Sequence, residues 1–472
     1  MSGYSESGGN SQKNILKTWQ PRMLSAISDI DRNYELLRDR SGDLMMNSPL
    51  GSAAIKTSAR SVIGSGLRVF PRLNGVELAI SKEEAKEKEK EIRKEFELWS
   101  ENCDWNRRNN FGELQYIAYV TYLTQGDSFC LFKTDSPTIR NPYELRVQVI
   151  EGTRVSSPNQ TIEQILENGH KIVNGIEVDE EGRIAGYWIS NKVPNDISEA
   201  EKMTEWVRVA AYGEKSGCQN ILQICADERA NQYRGVPYLS AVLETLKQAS
   251  RYVESELAAE IIKSYFTLFF KGTGGAQKFE QMLPSTEEKE PVVDPSEYKL
   301  GVGTIAALPE GVDVTTVDSN KNISTLETFI KTLERQIGAA LGIPAEVLTK
   351  SFNSSYSASR AALLQFNEEV KMRRNWFIRD FCKPIYETFL SEAVAIGRLK
   401  LEGYFEAERK RREWSNAEWY GPAMSILDPK KEIEAAKMRL EVGLSTYTKE
   451  AMEMNGLNYE SVKEQLKEEH VR

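Results

Sequence analysis

The chain has 472 residues, of which 40% are hydrophobic and 28% charged, with a formal net charge of -9. That length exceeds one compact core, and the composition is that of a folded chain rather than a disordered one. The acidic balance argues against static nucleic-acid binding, because such binders neutralise phosphates with Lys and Arg.

Residues 1–14, MSGYSESGGNSQKN, read as a polar arm and not as a signal peptide. Ser81–Glu84 has capping-box spacing, and Ile92, Phe96 and Trp99 follow at helical intervals, which predicts a helix whose charged side is KEEAKEKEKEIRKE. A second helix is predicted over Phe111–Gln125, so the first 125 residues read as mostly helical. From Asp127 the period changes to that of strands: DSFCLFKTD, LRVQVIEGTRV, KIVNGIEVDEEGRIAGYWIS and EWVRVAAY. Asn174-Gly175 is a hairpin signal and Glu181-Gly182 a second turn. This α+β region ends near Arg234–Pro237.

A long helix is predicted next, since no Gly or Pro falls between Tyr238 and Lys271. Val242, Leu246, Ala249, Val253, Leu257 and Ile261 form its apolar stripe, and Lys247, Gln248, Arg251 and Glu254 lie opposite. Residues 266–318 read as a β excursion: a strand TLFFKGTGG, a Pro-rich charged loop, and two short strands about Pro309–Gly311. A second helix opens on the capping-box spacing Ser324–Glu327, carries Leu326, Ile330, Leu333, Ile337 and Leu341, and stops at Gly342-Ile343-Pro344. The polar stretch TKSFNSSYS follows, with Ser354 or Ser357 as the expected cap of a very long helix from about Ala358 that Pro384 should kink. A linker at Gly421-Pro422 and a final helical region from Asp428-Pro429 complete the chain, without internal repeats.

Enzyme motifs are sparse. Gly213–Ser216 lacks the glycines of a phosphate loop, Gly272–Gly275 lacks dinucleotide-fold spacing, and Ser296–Lys299 is too short a match to carry meaning. The two histidines, His170 and His470, leave little room for a Ser-His-Asp triad or a zinc site. Cys103, Cys130, Cys218, Cys225 and Cys382 are odd in number and lack C-x-x-C spacing, so inert thiols are expected and no disulfide framework, cofactor or metal. The longest apolar stretch, around Tyr265–Phe270, falls short of the roughly 20 residues a membrane helix needs, so no membrane is expected as a partner. Basic clusters at Lys371, Arg373, Arg374 and Arg379, beside Trp376 and Phe377, and at Arg409–Arg412, suit either a nucleic-acid face or solvated helix surfaces and ion pairs.

Four segments together resemble the lambda-type family of phage portal proteins, in order and spacing as well as content. They are GIEVDEEGRIAGYWIS within His170–Ser190, QYRGVPYLSAVLETLKQASRY over Gln232–Tyr252, AALGIPAEVLTKSFNSSYSASRAALLQF over Ala339–Phe366, and LDPKKEIEAAKMRLEVGLST over Leu427–Thr446. The resemblance implies a mostly helical α+β portal fold in a homo-oligomeric ring, commonly a dodecamer, at the capsid vertex of a virion assembled in the host cytoplasm. Double-stranded DNA would be packaged and ejected through the ring. Terminase, head-tail adaptor, major capsid and scaffold proteins are the implied partners. Laid on this chain, it implies an arm (1–14), a wing (15–237, and 357–426 as a long helix and linker), stem helices (238–264 and 320–342), a clip (265–319), a tunnel loop (343–356) and a crown (427–472). Tunnel-loop residues Thr349, Lys350, Ser351, Asn353, Ser354 and Ser355, and stem residues Lys247, Arg251, Lys331 and Arg335, would face the channel. Tyr265, Phe266, Phe269 and Phe270 would carry clip contacts. The expected role is not enzymatic; a packaging-associated nuclease or ATPase, or another head-tail connector, is the alternative.

Overall fold

The computed structural model describes residues 22–158, 161–194, 196, 198, 203–264, 268–272, 312–316, 323–352, 355–423, 428–456 and 459–470. The chain divides into one unit formed by 1–247 with 334–472, and a second formed by 248–333. The first unit opens with helices α1 (Tyr34–Asn47) and α2 (Pro49–Val62), then β1 (Arg68–Pro71), α3 (Gly75–Leu78), α4 (Lys82–Ser100) and α5 (Phe111–Gln125). Ser81 caps α4 by accepting from the Glu84 amide at 3.1 Å, as its spacing predicts. Helix α5 has the expected bounds, fixed by a reciprocal box: Asn110 Oδ1 accepts from the Glu113 amide and Glu113 accepts from the Asn110 amide. Strand β1 interrupts this mostly helical start; it pairs antiparallel with Ala417–Tyr420, more than 300 residues away, a contact no local pattern announces.

Strands β2 (Asp127–Thr134), β3 (Leu145–Glu151), β4 (Glu163–Ile165), β5 (Lys171–Val173), β6 (Ile176–Val178), β7 (Ile184–Ser190), β8 (Trp206–Ala210) and β9 (Ile221–Cys225) follow. They form a three-stranded sheet, β3-β2-β9, and a five-stranded antiparallel meander, β4 to β8. The β5–β6 turn is the predicted Asn174-Gly175, at φ 45° and 84°, the left-handed pair that a two-residue hairpin requires. The β6–β7 turn closes on Gly182 (φ 86°), with Asp179 Oδ1 accepting from the Glu181 and Arg183 amides.

Helix α5 lies against β2, and the largest core cluster gathers Phe96, Trp99 and Phe111 with Phe377, Phe381, Tyr386 and Phe389 from much later in the chain. Trp99 is fully buried and its indole N–H donates to the Leu145 carbonyl at 3.0 Å. Burial pushes the thiols of Cys103, Cys130 and Cys382 up, so they are inert, and no cysteine is in a disulfide.

One buried cation ties the sheets to the first helix. Arg234, 1% exposed, binds Asp127 through Nε at 2.6 Å and a terminal nitrogen at 2.9 Å. It also donates to the Val155, Asn174 and Gly152 carbonyls and to the Tyr34 hydroxyl. Burial opposes its charge, but Asp127 and Tyr34 outweigh that and hold its pKa above the ordinary value. The next residue must be glycine: a Cβ on Gly235 would stand 1.8 Å from the Gly126 carbonyl oxygen.

Asp31, 2% exposed, sits near this cluster with neither carboxylate oxygen hydrogen-bonded among the described residues. Burial pushes its pKa from 3.8 up to about 6, against the pull of Arg234. A folded-state pKa above the unfolded one means that ionisation is penalised. Stability therefore falls as pH rises from about 4 to about 6 and stays lower above that. Asp31→Asn is expected to stabilise the chain by about 1–3 kcal/mol at pH 8 and to have little effect at pH 4, read from urea unfolding at the two pH values. Equal effects at both would contradict this.

Helix α6 spans Leu243–Ser264, preceded by a 3-10 turn at Ser240–Val242, so the helix starts five residues later than Tyr238. Strands β10 (Leu268–Gly272) and β11 (Val312–Thr316) pair antiparallel, with Phe269 opposite Thr315 and Phe270 opposite Val314. The expected glycine turn after β10, the strand GTIAALPE, and Tyr265 and Phe266 lie outside the described residues. Helix α7 (Ile323–Leu341) begins one residue ahead of its expected cap, Ser324. Within the second unit, Tyr252 of α6 and Phe329 of α7 meet edge to face at 4.8 Å.

Helices α8 (Ala345–Thr349), α9 (Tyr356–Phe377), α10 (Lys383–Ala395) and α11 (Glu408–Trp414), strand β12 (Ala417–Tyr420) and helices α12 (Pro429–Glu441), α13 (Tyr447–Asn455) and α14 (Tyr459–His470) complete the chain. Between α9 and α10 the helix widens into a π-turn at Ile378–Cys382. This is how the expected break at Pro384 is met, since the proline has no N–H to give the preceding turn.

Candidate functional site

Within 343–356, expected as a polar loop between helices, residues 345–349 form a helix. Gly342 takes φ 67° after α7, and Gly338 lets the chain turn back, since a Cβ there would meet the Ile343 carbonyl oxygen at 2.4 Å. Helix α8 occupies much of the loop and buries Leu348. Thr349 is its last residue, and its hydroxyl donates to the Ala345 carbonyl at 2.8 Å. Lys350, exposed, adopts the left-handed conformation at φ 56° and ends the helix. The Ser351 amide donates to the Glu346 carbonyl, and Phe352 is 52% exposed. Asn353 and Ser354 lie outside the described residues. Ser355 holds the N-cap position of α9 without a side-chain cap, so Ser357, inside the helix, is not the cap expected. Ser359 donates to Glu346 at 2.8 Å, which ties α9 to α8.

The cations expected along the two long helices differ in their surroundings. Lys247 lies 3.8 Å from Asp43, and Lys331 pairs with Glu327 one turn away at 2.5 Å. Arg251 and Arg335 are exposed. The apolar stripe of α6 changes character along its length. Val242, Leu246 and Ala249 are buried, whereas Val253, Leu257 and Ile261 are 50%, 61% and 48% exposed.

Four arginines of the basic clusters are engaged within the chain. Arg373 pairs with Glu369 at 2.7 Å and lies over the Tyr238 ring, while Arg374 donates to the Ser61, Val62 and Pro422 carbonyls. Arg409 pairs with Glu77 and Arg411 reaches Ser391. Gly213–Ser216 is a tight turn closed by the Gly213 amide on the Cys218 carbonyl at 2.9 Å, and no helix follows it to cradle a phosphate. Among the described residues no group of His, Cys, Asp or Glu could hold a metal, and no helix is long and apolar enough to cross a membrane.

The most informative residue, Arg234, carried no sequence signal beyond its place in QYRGVP. A buried arginine with so many acceptors is invisible until strands and helices distant in sequence converge on it. Glu177, inside GIEVDEEG, is similar: 1% exposed at its side chain, it accepts from Arg208, His170 and Trp188 at 2.6, 2.8 and 3.2 Å.

Comparison with known proteins places these features in a family. The model of the phage portal protein, lambda family, matches residues 12–374, more than half the chain. Portal protein B of Escherichia phage lambda is 23% identical over 98% of this chain and 88% of its own length. The portal protein of Escherichia phage N15 is 22% identical with the same coverage. A chain from the virion of a native gene transfer agent particle superposes with a TM-score of 0.45 at 15% identity, covering 92% of this chain and 93% of that one. The model match, the two full-length relatives and the four segments quoted above agree: the chain belongs to the lambda family of phage portal proteins.

Proposed function

We propose that the chain is one subunit of a closed ring at the capsid vertex, twelve copies being the number that the family resemblance implies, through which double-stranded DNA is packaged and later ejected. One observation carries the reading beyond family membership. The apolar ridge of α6 leaves the core after Ala249 and continues as exposed Val253, Leu257 and Ile261. A ridge at four-residue spacing on a long helix suits a second copy of the chain.

In this reading α6 and α7 are the stem, the β10–β11 ribbon belongs to the clip, and 343–356 faces the channel with Lys350, Ser351 and Ser355. The Thr349 hydroxyl already donates its proton to the Ala345 carbonyl within α8, so it could meet a phosphate only by breaking that bond. A net charge of -9 per subunit repeated around a ring keeps DNA sliding, since few phosphates are fixed by cations. Terminase and the head-tail adaptor would dock at the clip through Phe269 and Phe270, and the major capsid and scaffold proteins around the rim. The role is structural, with no catalytic residue, and the subunit enters virions assembled in the host cytoplasm. No observation favours a nuclease or ATPase.

The channel role of the loop is tested at Lys350. Lys350→Glu should leave rings intact and lower the yield of DNA-filled particles several-fold. Lys350→Asn, which suits the left-handed backbone, should fall between it and wild type. Unchanged DNA content in both would remove the loop from the channel.

A further inference from the structure

A cavity of about 500 Å³ opens beside the base of α6, within the first unit. Tyr122, Pro237, Tyr238, Ala241, Met372 and Trp376 make its apolar wall. Trp376 packs on Tyr122 at 4.9 Å, while Met372 remains 60% exposed. Asp227 and Glu228, both exposed, line it on another side. Its one lining arginine, Arg373, is already engaged by Glu369 and by the Tyr238 ring, so the remaining charge is negative. Ser240, also in the lining, has a buried hydroxyl without a partner among the described residues. The site therefore suits a segment with bulky apolar side chains next to cations.

Such a segment begins close by. Arg229, two residues from Asp227, holds the start of the described chain: it donates to the Leu24 carbonyl at 2.6 Å and pairs with Asp29 at 2.7 Å. Upstream lies the sequence Lys13-Asn-Ile-Leu-Lys-Thr-Trp19, with two lysines, three bulky apolar residues and no acid. Five extended residues reach about 17 Å, and Arg229, which holds Leu24, is two residues from Asp227 in the cavity lining.

We propose that residues 13–19 of the same chain occupy this cavity. Trp19 and Leu16 lie on the apolar wall, and Lys13 and Lys17 face Asp227 and Glu228. The assignment does not depend on the ring reading, since every residue in it belongs to one chain.

Hydrogen exchange on the intact chain tests it. Amides 15–20 should exchange roughly tenfold more slowly than an unstructured segment. That protection should vanish in Asp227→Lys/Glu228→Lys, whose exposed positions leave the core undisturbed, and exchange elsewhere should stay unchanged. Trp19→Ala is the converse variant and should speed exchange along 236–241. Free exchange of amides 15–20 in the wild type would overturn the proposal, as would protection that survives the charge reversal. Protection present in assembled rings and absent in isolated monomers would overturn the same-chain assignment.

Discussion

Replacing Arg234 with alanine is expected to cost roughly 3–5 kcal/mol or more and to leave little folded protein at 37 °C. The loss follows from what remains. Asp127 is fully buried and would be left without a counterion, with the Tyr34 hydroxyl and the Gly235 amide as its neighbours. The carbonyls of Gly152, Val155 and Asn174 would lose their shared donor at the junction of the two sheets. Arg234→Lys should recover only part of this, because a point ammonium cannot reach a carboxylate, a phenol and three carbonyls in one plane. Arg234→Met combined with Asp127→Asn should cost less than the sum of the two single changes, since it removes both charges. Urea unfolding followed by far-UV circular dichroism reads all three. A loss under about 1 kcal/mol for Arg234→Ala would show that the network does not hold the sheets to α1.

The second large effect concerns assembly. Val253→Asp with Leu257→Asp should abolish rings while leaving the monomer's thermal midpoint nearly unchanged. Both side chains are at least half exposed in the single chain, so the monomer loses little by their removal. In a ring each interface would lose about 2–3 kcal/mol of apolar burial, since each side chain is already partly buried in the single chain, and would also have to accommodate two buried carboxylates. Lys247→Ala, at an exposed ion pair, is the control and should assemble normally. Rings of normal size from the double variant would move the subunit contact elsewhere.

Local chemistry explains which parts of the fold were legible in the sequence. Helix α5, the Asn174-Gly175 hairpin and the cap at Ser81 were readable because each is decided by residues within one turn. The stripe of α6 was readable as a helix but not as two environments, because periodicity does not tell a core from an interface. The short strands β1, β4, β9 and β12 were missed; β1 and β12 depend on each other across the chain and have no alternating run of their own. At the candidate site, reading 343–356 as one loop overlooked the apolar pair Val347 and Leu348. Val347 packs against the core and Leu348 is buried in it, which pulls residues 345–349 into a helix and spends the Thr349 hydroxyl internally. Of the cations of 371–379, Lys371, Arg373 and Arg379 pair with carboxylates one to four residues away, and Arg374 alone is taken up by carbonyls of distant segments.

The claim that this chain is a ring subunit is tested most directly by imaging the purified full-length protein, without cofactor or metal, by electron microscopy across a range of salt concentrations. The account predicts closed rings of one size with an axial opening wide enough for duplex DNA. Stable monomers alone at every salt concentration would contradict it.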